Sequence, residues 1–510
     1  MCQGIIPMLT VFLMQEIIAM DSLPALQSGD TTARQPAKAT TSWPSLRFNF
    51  TLKRSSLNIY GQSNISLVAS PTLVNNGSRV VYDAFATFHD EAAMQSYILL
   101  DGITYTLTRV ADAKSAVSPQ IKCAGANFSD ILPVSTIVTS INEATALSSR
   151  GNTTIQCSSA NLFKVAISDF DFILCALGAS GFSMHHNDMD IEVEYLEKYV
   201  NISSLLMKSE DIPECNGEAQ AIEITSTGQS LLTGEPIAPV YSRMLTAELD
   251  FSIFHKSKCS CRSKQRPCVF MHGLGVAEEI AANEDTFPRY WAVSVCDRIL
   301  AVSDTSSDFV VADTIVVTHS MGGLLLSGAI ANGKCSLASN STWISMAAPM
   351  SGSMGSDYDQ ASCAGESNVI VDILVKLHNE CPVRPAVSSL AYEAGKFSSQ
   401  KLKMTYEAAQ EAYRTNVSAV MCSENYAGLI SKYQVYFWIL GHMIPHKSNE
   451  NDGIVEFQSC AAGMPEGRFG NSYLDRFYVT RLNHYDMTFR SGDALFNKAK
   501  MPMRWFECLL

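Results

Sequence analysis

Positive charge is scarce in this chain. Lysine and arginine number 37 against 50 aspartates and glutamates in 510 residues, a net charge of −13, and no basic stripe forms along the sequence. That balance argues against nucleic acid, and against an anionic membrane surface, as an electrostatic partner. Long apolar runs are also missing. Beyond the N-terminus no stretch reaches the roughly 18 apolar residues needed to span a bilayer, and the C-terminal Arg504-Trp505-Phe506-Glu507-Cys508-Leu509-Leu510 is no lipid-anchor signal. No transmembrane segment is expected in the mature chain. The apolar opening has no Lys or Arg before residues 4–14 and no clean cleavage site, so 1–20 reads as an imperfect signal peptide. Paired metal-binding cysteine motifs are lacking too. Cys259-x-Cys261-x6-Cys268 has no second half, which favours disulfides over zinc, and neither a metal nor a cofactor is expected.

Cysteine itself is abundant. Of 15 cysteines, Cys2 lies in the signal segment and the other fourteen permit seven disulfides, which indicates an oxidising compartment. Eight Asn-x-Ser/Thr sequons, at Asn49, Asn64, Asn76, Asn127, Asn152, Asn201, Asn340 and Asn416, fit the same secretory route, and the expected location is extracellular or luminal. Hydrophobic residues make up 47% of the chain, enough for two globular cores.

Residues 21–45 are rich in Ser, Thr, Ala, Pro and Gln and read as a flexible leader. From 46 to 205 short β-branched or alternating runs recur between turn residues, at 63–68, 79–88, 95–100, 103–110, 162–167 and 191–195, which predicts an antiparallel β-rich domain. Residues 131–147 show helical spacing and should cover one face of that sheet. Such a sheet could bind lipid, or only fold, protect or present the domain that follows. Met184-His185-His186-Asn187-Asp188-Met189-Asp190 crowds two imidazoles beside carboxylates, too closely to surround one ion, and reads as a solvated turn. Residues 206–264 form a connection.

The chemistry gathers in 265–510. Thr314-Ile-Val-Val-Thr-His-Ser-Met-Gly-Gly delivers Ser320 from a β-branched run into a sharp turn that opens a helix, as a nucleophile needs if its Oγ is to stand exposed above a sheet. Gly322 gives room there, although Thr318 stands where a first glycine is usual. Upstream, Cys268-Val-Phe-Met leads into His272-Gly273-Leu274-Gly275, a loop able to turn amides toward a developing oxyanion. Leu274 and Met321 are the candidate donors. The acid and base should follow in that order past later strands. The run 433–440 predicts a strand before Asn451-Asp452-Gly453, and 475–480 a final strand before Asn483-His484-Tyr485-Asp486. Asp452 is the expected acid and His484 the expected base, ahead of the rivals Glu450, Asp486, His319, His442 and His446.

With these motifs, and Ala-Ala-Pro-Met-Ser-Gly-Ser at 347–353, the second half resembles the α/β-hydrolase superfamily, particularly its lipase- and esterase-like members. The glycosylphosphatidylinositol inositol deacylases have a similar His-Ser-Met-Gly elbow. The resemblance implies a doubly wound α/β sheet, a Ser-Asp-His triad and an ester or lipid substrate. Two features depart from it. Only 48 positions separate His272 from Ser320, where a doubly wound hydrolase normally fits a helix, another strand and a second helix and each βαβ unit takes about 30 or more, so one strand fewer is expected, with 292–307 as the helix before the elbow strand. The region 353–432 is too long for an ordinary connection and should be a cap or lid, with a helix near 369–377 and a Cys363–Cys381 bridge beside it. The leading expectation is a secreted serine ester hydrolase; the alternative is a catalytically silent binding protein on the same fold.

Overall fold

The computed structural model describes residues 43–90, 93–110, 120–125, 131–147, 161–206, 217–237, 259, 263–274, 294–365 and 381–510. The signal, most of the leader, most of the 206–264 connection, Gly275 and the helix expected near 369–377 lie outside these residues.

The first half is one antiparallel sheet. Its strands are β1 (Leu46–Leu52), β2 (Asn64–Val74), β3 (Arg79–Asp90), β4 (Ala93–Leu100), β5 (Ile103–Val110), β6 (Gln120–Gly125), β7 (Thr145–Leu147), β8 (Leu162–Ile167), β9 (Phe170–Ala176), β10 (Phe182–His185), β11 (Met189–Tyr195) and β12 (Ile222–Glu223). Chain neighbours pair antiparallel from β1 to β6 and from β7 to β11, β1 joins β11 in the order β6-β5-β4-β3-β2-β1-β11-β10-β9-β8-β7, and β12 pairs with β3. Alternation explains the single buried face. In β1, Leu46, Phe48, Phe50 and Leu52 point inward while Arg47 and Thr51 are exposed. The helix Val134–Asn142 covers that face with Val134, Ile137, Val138 and Ile141. It is shorter than the spacing predicts, because the chain turns at Glu143 and returns as β7.

The second half holds a parallel sheet of β13 (Cys268–Met271), β15 (Ile315–His319), β17 (Thr342–Met346), β18 (Ala419–Ser423) and β19 (Phe477–Thr480), in that order; β14 (Val310–Val311) and β16 (Ser336–Leu337) form a small separate pair. Strand order rises steadily with sequence. Right-handed crossovers in one direction place their helices on one face, and the helices Ser294–Leu300, Met321–Ala331 and Gln400–Asn416 duly share one core cluster with Val316, Trp343 and Val420. The other face carries Ile315, Val317, Ile344, Met346, Met421 and Tyr478. Among the described residues it is closed by the C-terminal helix Pro502–Leu509 and by the first lobe rather than by a second set of crossover helices. One hydrophobic cluster runs from the large sheet through Leu495, Phe496, Trp505 and Phe506 to this face. Phe496 meets Phe170 at 5.8 Å and Trp505 meets Tyr478 at 6.0 Å between ring centroids. Charge closes the seam around this core, with Arg54 on Glu507 and Arg504 on Asp188.

Three expectations need correction. The run 433–440 is a helix, Gln434–Met443, not a strand. The strand that precedes Asp452 is β18, inside the 353–432 region assigned to the cap. Cys268 is a free thiol, so the fourteen cysteines do not make seven bridges; burial raises its pKa to about 11, which leaves it protonated and unreactive. Cys259, part of the triplet considered for zinc, pairs with Cys508. Disulfides also join Cys296 to Cys335, Cys363 to Cys381 and Cys422 to Cys460. The sequons at Asn64, Asn76, Asn201 and Asn340 are exposed. Among the described residues no helix is long and apolar enough to cross a membrane. These bridges and that helix inventory are compatible with a secreted protein.

Candidate active site

The elbow follows from β15. All five of its residues are buried, as in a strand covered on both faces, and the chain then reverses into the helix Met321–Ala331 within one residue. That residue is Ser320, with φ 53° and ψ −129°. A non-glycine residue at positive φ costs on the order of 1–3 kcal/mol and persists only where the surroundings hold it. Here the Ser320 amide donates to the Met346 carbonyl at 2.8 Å, and the Gly323 amide donates to Ser320's own carbonyl at 3.0 Å.

The upstream loop lies directly against this turn. A Cβ at Gly273 would fall 2.6 Å from Ser320 Cβ and 3.2 Å from its Oγ, and one at Gly322 would fall 2.8 Å from the His272 carbonyl oxygen. Side chains at either position would push the loop off the serine. Met321 occupies the first helical position, where the amide has no partner within the helix. Leu274 and Met321 both pack against the same core cluster.

Thr318 has a structural explanation. Its side chain is fully buried, and its Oγ1 accepts a hydrogen bond from Trp343 Nε1 at 2.9 Å. The short interval from His272 to Ser320 has one too. β13 pairs directly with β15, Met271 opposite Thr318, and the Ser294–Leu300 helix lies between them in sequence. Neither departure interrupts the sheet beneath Ser320.

Asp452 and His484 meet. His484 Nδ1 donates to Asp452 Oδ2 at 2.7 Å, with the residues 3% and 1% exposed. The other carboxylate oxygen, Oδ1, accepts the amides of Ile454 at 2.9 Å and Val455 at 2.7 Å, and the His484 amide donates to the Asp452 carbonyl at 3.0 Å. Asp452 is thus clamped by its own Asn-Asp-Gly turn. His484 is in turn tied to the elbow: His319 Nε2 donates to the His484 carbonyl at 2.9 Å, and the two rings lie 4.7 Å apart. His319 is held neutral, its pKa pushed well below the usual value by burial and then by the neighbouring His484.

The rivals have other work. His442 is exposed, with Nδ1 on the Trp438 carbonyl. His446 is paired with Glu456, and exposed Glu450 accepts from Gln458. Asp486 is buried, accepts from the Leu429 amide, Ser431 Oγ and Asn483 Nδ2, and is raised to about 6 chiefly by burial. His185 pairs with Asp190 and His186 packs on Phe170 and Phe172, so their turn is half-buried rather than solvated. Among the described residues no three His, Cys, Asp or Glu side chains gather as a metal site.

The sequence reading missed a helix that packs on His484. The helix Gln434–Met443 sets Phe437 against His484, ring centroids 6.4 Å apart, and against Tyr485 at 4.9 Å. Its Gln434 is held by the first lobe, accepting a buried hydrogen bond from Tyr97 Oη at 2.9 Å. A cavity of about 910 Å³ opens elsewhere, between the lobes, lined by residues including Ile131, Thr136, Glu424, Arg481 and Phe496 and by none of Ser320, Asp452 or His484.

By sequence the chain matches no protein-family profile and no curated protein. Among solved structures it is similar to the lipase of Staphylococcus hyicus, at 11% identity and a TM-score of 0.24, over 49% of this chain and 94% of that one.

Proposed function

We propose that this chain is a secreted serine ester hydrolase built on an α/β-hydrolase sheet, with Ser320 as nucleophile, His484 as base and then acid, and Asp452 as the residue that orients His484. The observation that carries the reading is the coincidence of a strained serine at a strand-to-helix turn with a buried, amide-clamped Asp452 and His484 pair tied to that turn. Neither part has a structural need of the other. In this reading His484 Nε2 takes the Ser320 proton as Oγ attacks the ester carbonyl. The amides of Leu274 and Met321 hold the oxyanion, and water then releases the acyl group from Ser320. Lipid esters are the favoured substrates, because an apolar helix packs on His484 and a long segment separates β17 from β18.

The test is a series of p-nitrophenyl esters of increasing acyl length, turned over by wild type and Ser320→Ala. The reading expects measurable wild-type turnover, with preference for longer chains, falling about a millionfold in the variant. Full retention of turnover in Ser320→Ala on every accepted ester overturns it.

A further inference from the structure

The loop that carries Asp452 is closed by a second buried acid and histidine, outside the proton path described above. His446 leaves the end of the Gln434–Met443 helix, its amide donating to the Ile444 carbonyl at 2.8 Å. Glu456 is the residue on which the helix Phe457–Ala461 begins. His446 Nδ1 donates to Glu456 Oε1 at 2.8 Å, with side chains 4% and 0% exposed. The remaining atoms, His446 Nε2 and Glu456 Oε2, are buried with no hydrogen-bond partner among the described residues.

As a source of stability this is a poor arrangement. A buried polar atom left unsatisfied costs on the order of 1–3 kcal/mol, and a buried ion pair is often matched or bettered by apolar side chains of similar volume. Its value lies in what it joins. Between His446 and Glu456 the chain folds back on itself: the Asp452 amide donates to the Val455 carbonyl at 3.0 Å and the Phe457 amide to the Glu450 carbonyl at 2.9 Å. The two amides that orient Asp452 Oδ1 belong to the last residues before Glu456. Beyond Glu456 the chain is fixed to β18 by the Cys422–Cys460 disulfide. Before His446 it is fixed to the other triad partner, because Phe437 packs on His484 and lies close above Gly453.

The geometry points to His446 and Glu456 as positioning residues for the triad, a strut that ties the helix packed on His484 to the far end of the loop holding Asp452. Acid and base are thereby kept in register by one element. This rests on the serine hydrolase reading.

The test compares wild type, Glu456→Ala, Glu456→Gln and the double variant H446A/E456A. Each is made as the full chain in an oxidising host and measured for kcat and KM per site titrated with fluorophosphonate, and for hydrogen exchange of the 447–456 segment. Glu456→Ala is expected to lower kcat about tenfold to a hundredfold, the cost of an ångström-scale misplacement, with KM little changed and faster exchange at the Ile454 and Val455 amides. Glu456→Gln keeps an acceptor oxygen for His446 and restores both. The double variant leaves no buried group unpaired, so it keeps the test open where Glu456→Ala fails to fold, and it carries the same loss in kcat. Wild-type kcat in Glu456→Ala and in the double variant, a Glu456→Gln as impaired as Glu456→Ala, or unchanged exchange in Glu456→Ala overturns the strut. A wild type that neither turns over ester nor labels overturns the hydrolase reading instead, and the exchange result then decides the strut by itself.

Discussion

Asp452 offers His484 only one of its two oxygens. Oδ2 accepts from His484 Nδ1 at 2.7 Å, while Oδ1 is already taken by the Ile454 and Val455 amides.

That division predicts the effect of Asp452→Asn. The two amides would hold the asparagine oxygen at the Oδ1 position and turn its NH2 toward Nδ1, which forces His484 into the tautomer that carries its proton on Nε2. Such a histidine cannot take the Ser320 proton. The expected loss is about 10⁴ in kcat, as for the equivalent change in the serine protease triad, with an unaltered fold. Comparing kcat and the circular dichroism spectrum of the variant with wild type checks both parts.

Thr318→Val keeps volume and β-branching but removes the acceptor for Trp343 Nε1, leaving that donor buried and unpaired. A stability loss of about 1–3 kcal/mol follows, and Thr318→Ser should recover most of it. Denaturant titration measures this, and the account expects turnover per folded molecule to stay close to wild type.

Much of this architecture was legible in the sequence, and the failures share a cause. β8 falls on the residues expected because its side chains alternate between a core face and an outer face, and β5 does so because its β-branched and aromatic run is bounded by turn residues although Thr104–Leu107 are all buried. The run 433–440 shows no period because it is apolar on every side, packed below on His484 and Tyr485 and anchored above by Tyr97. A continuous apolar run of that length reads equally as a buried strand or a buried helix. β18 was overlooked because Ala-Val-Met-Cys-Ser has one β-branched aliphatic residue and no turn signal after the long helix Gln400–Asn416. The Asn451-Asp452-Gly453 turn is legible without its strand because its chemistry is local. The His446 and Glu456 contact, by contrast, is made by tertiary packing and had no signature.

Asp486 gives a pH dependence with a defined sign. Burial raises its carboxyl from 3.8 to about 6 in the folded state. The folded protein therefore binds the proton more tightly than the unfolded chain, so this stabilisation is complete below about pH 4 and is lost as pH rises through 6. Relative to Asp486→Asn, wild type should lose on the order of 3 kcal/mol between pH 4 and pH 7. Paired unfolding titrations across that range check the direction; a wild type that gains stability relative to Asp486→Asn as pH rises contradicts it.

Cys422 and Cys460 fasten the helix after the Asp452 loop to β18. The bridge closes a 38-residue separation, so replacing both cysteines with serine should cost about 3–4 kcal/mol by the chain-entropy estimate. Thermal denaturation of the oxidised double variant against wild type measures it, and a Tm unchanged from wild type contradicts the estimate.

Fluorophosphonate labelling of the folded protein, followed by peptide mapping of the adduct, decides whether Ser320 is a nucleophile, because the reagent reports an activated serine rather than an exposed one. The account predicts a single adduct on Ser320, absent in Ser320→Ala and His484→Ala and strongly slowed in Asp452→Asn. A well-folded wild type with no adduct, or with its adduct on another serine, would contradict it.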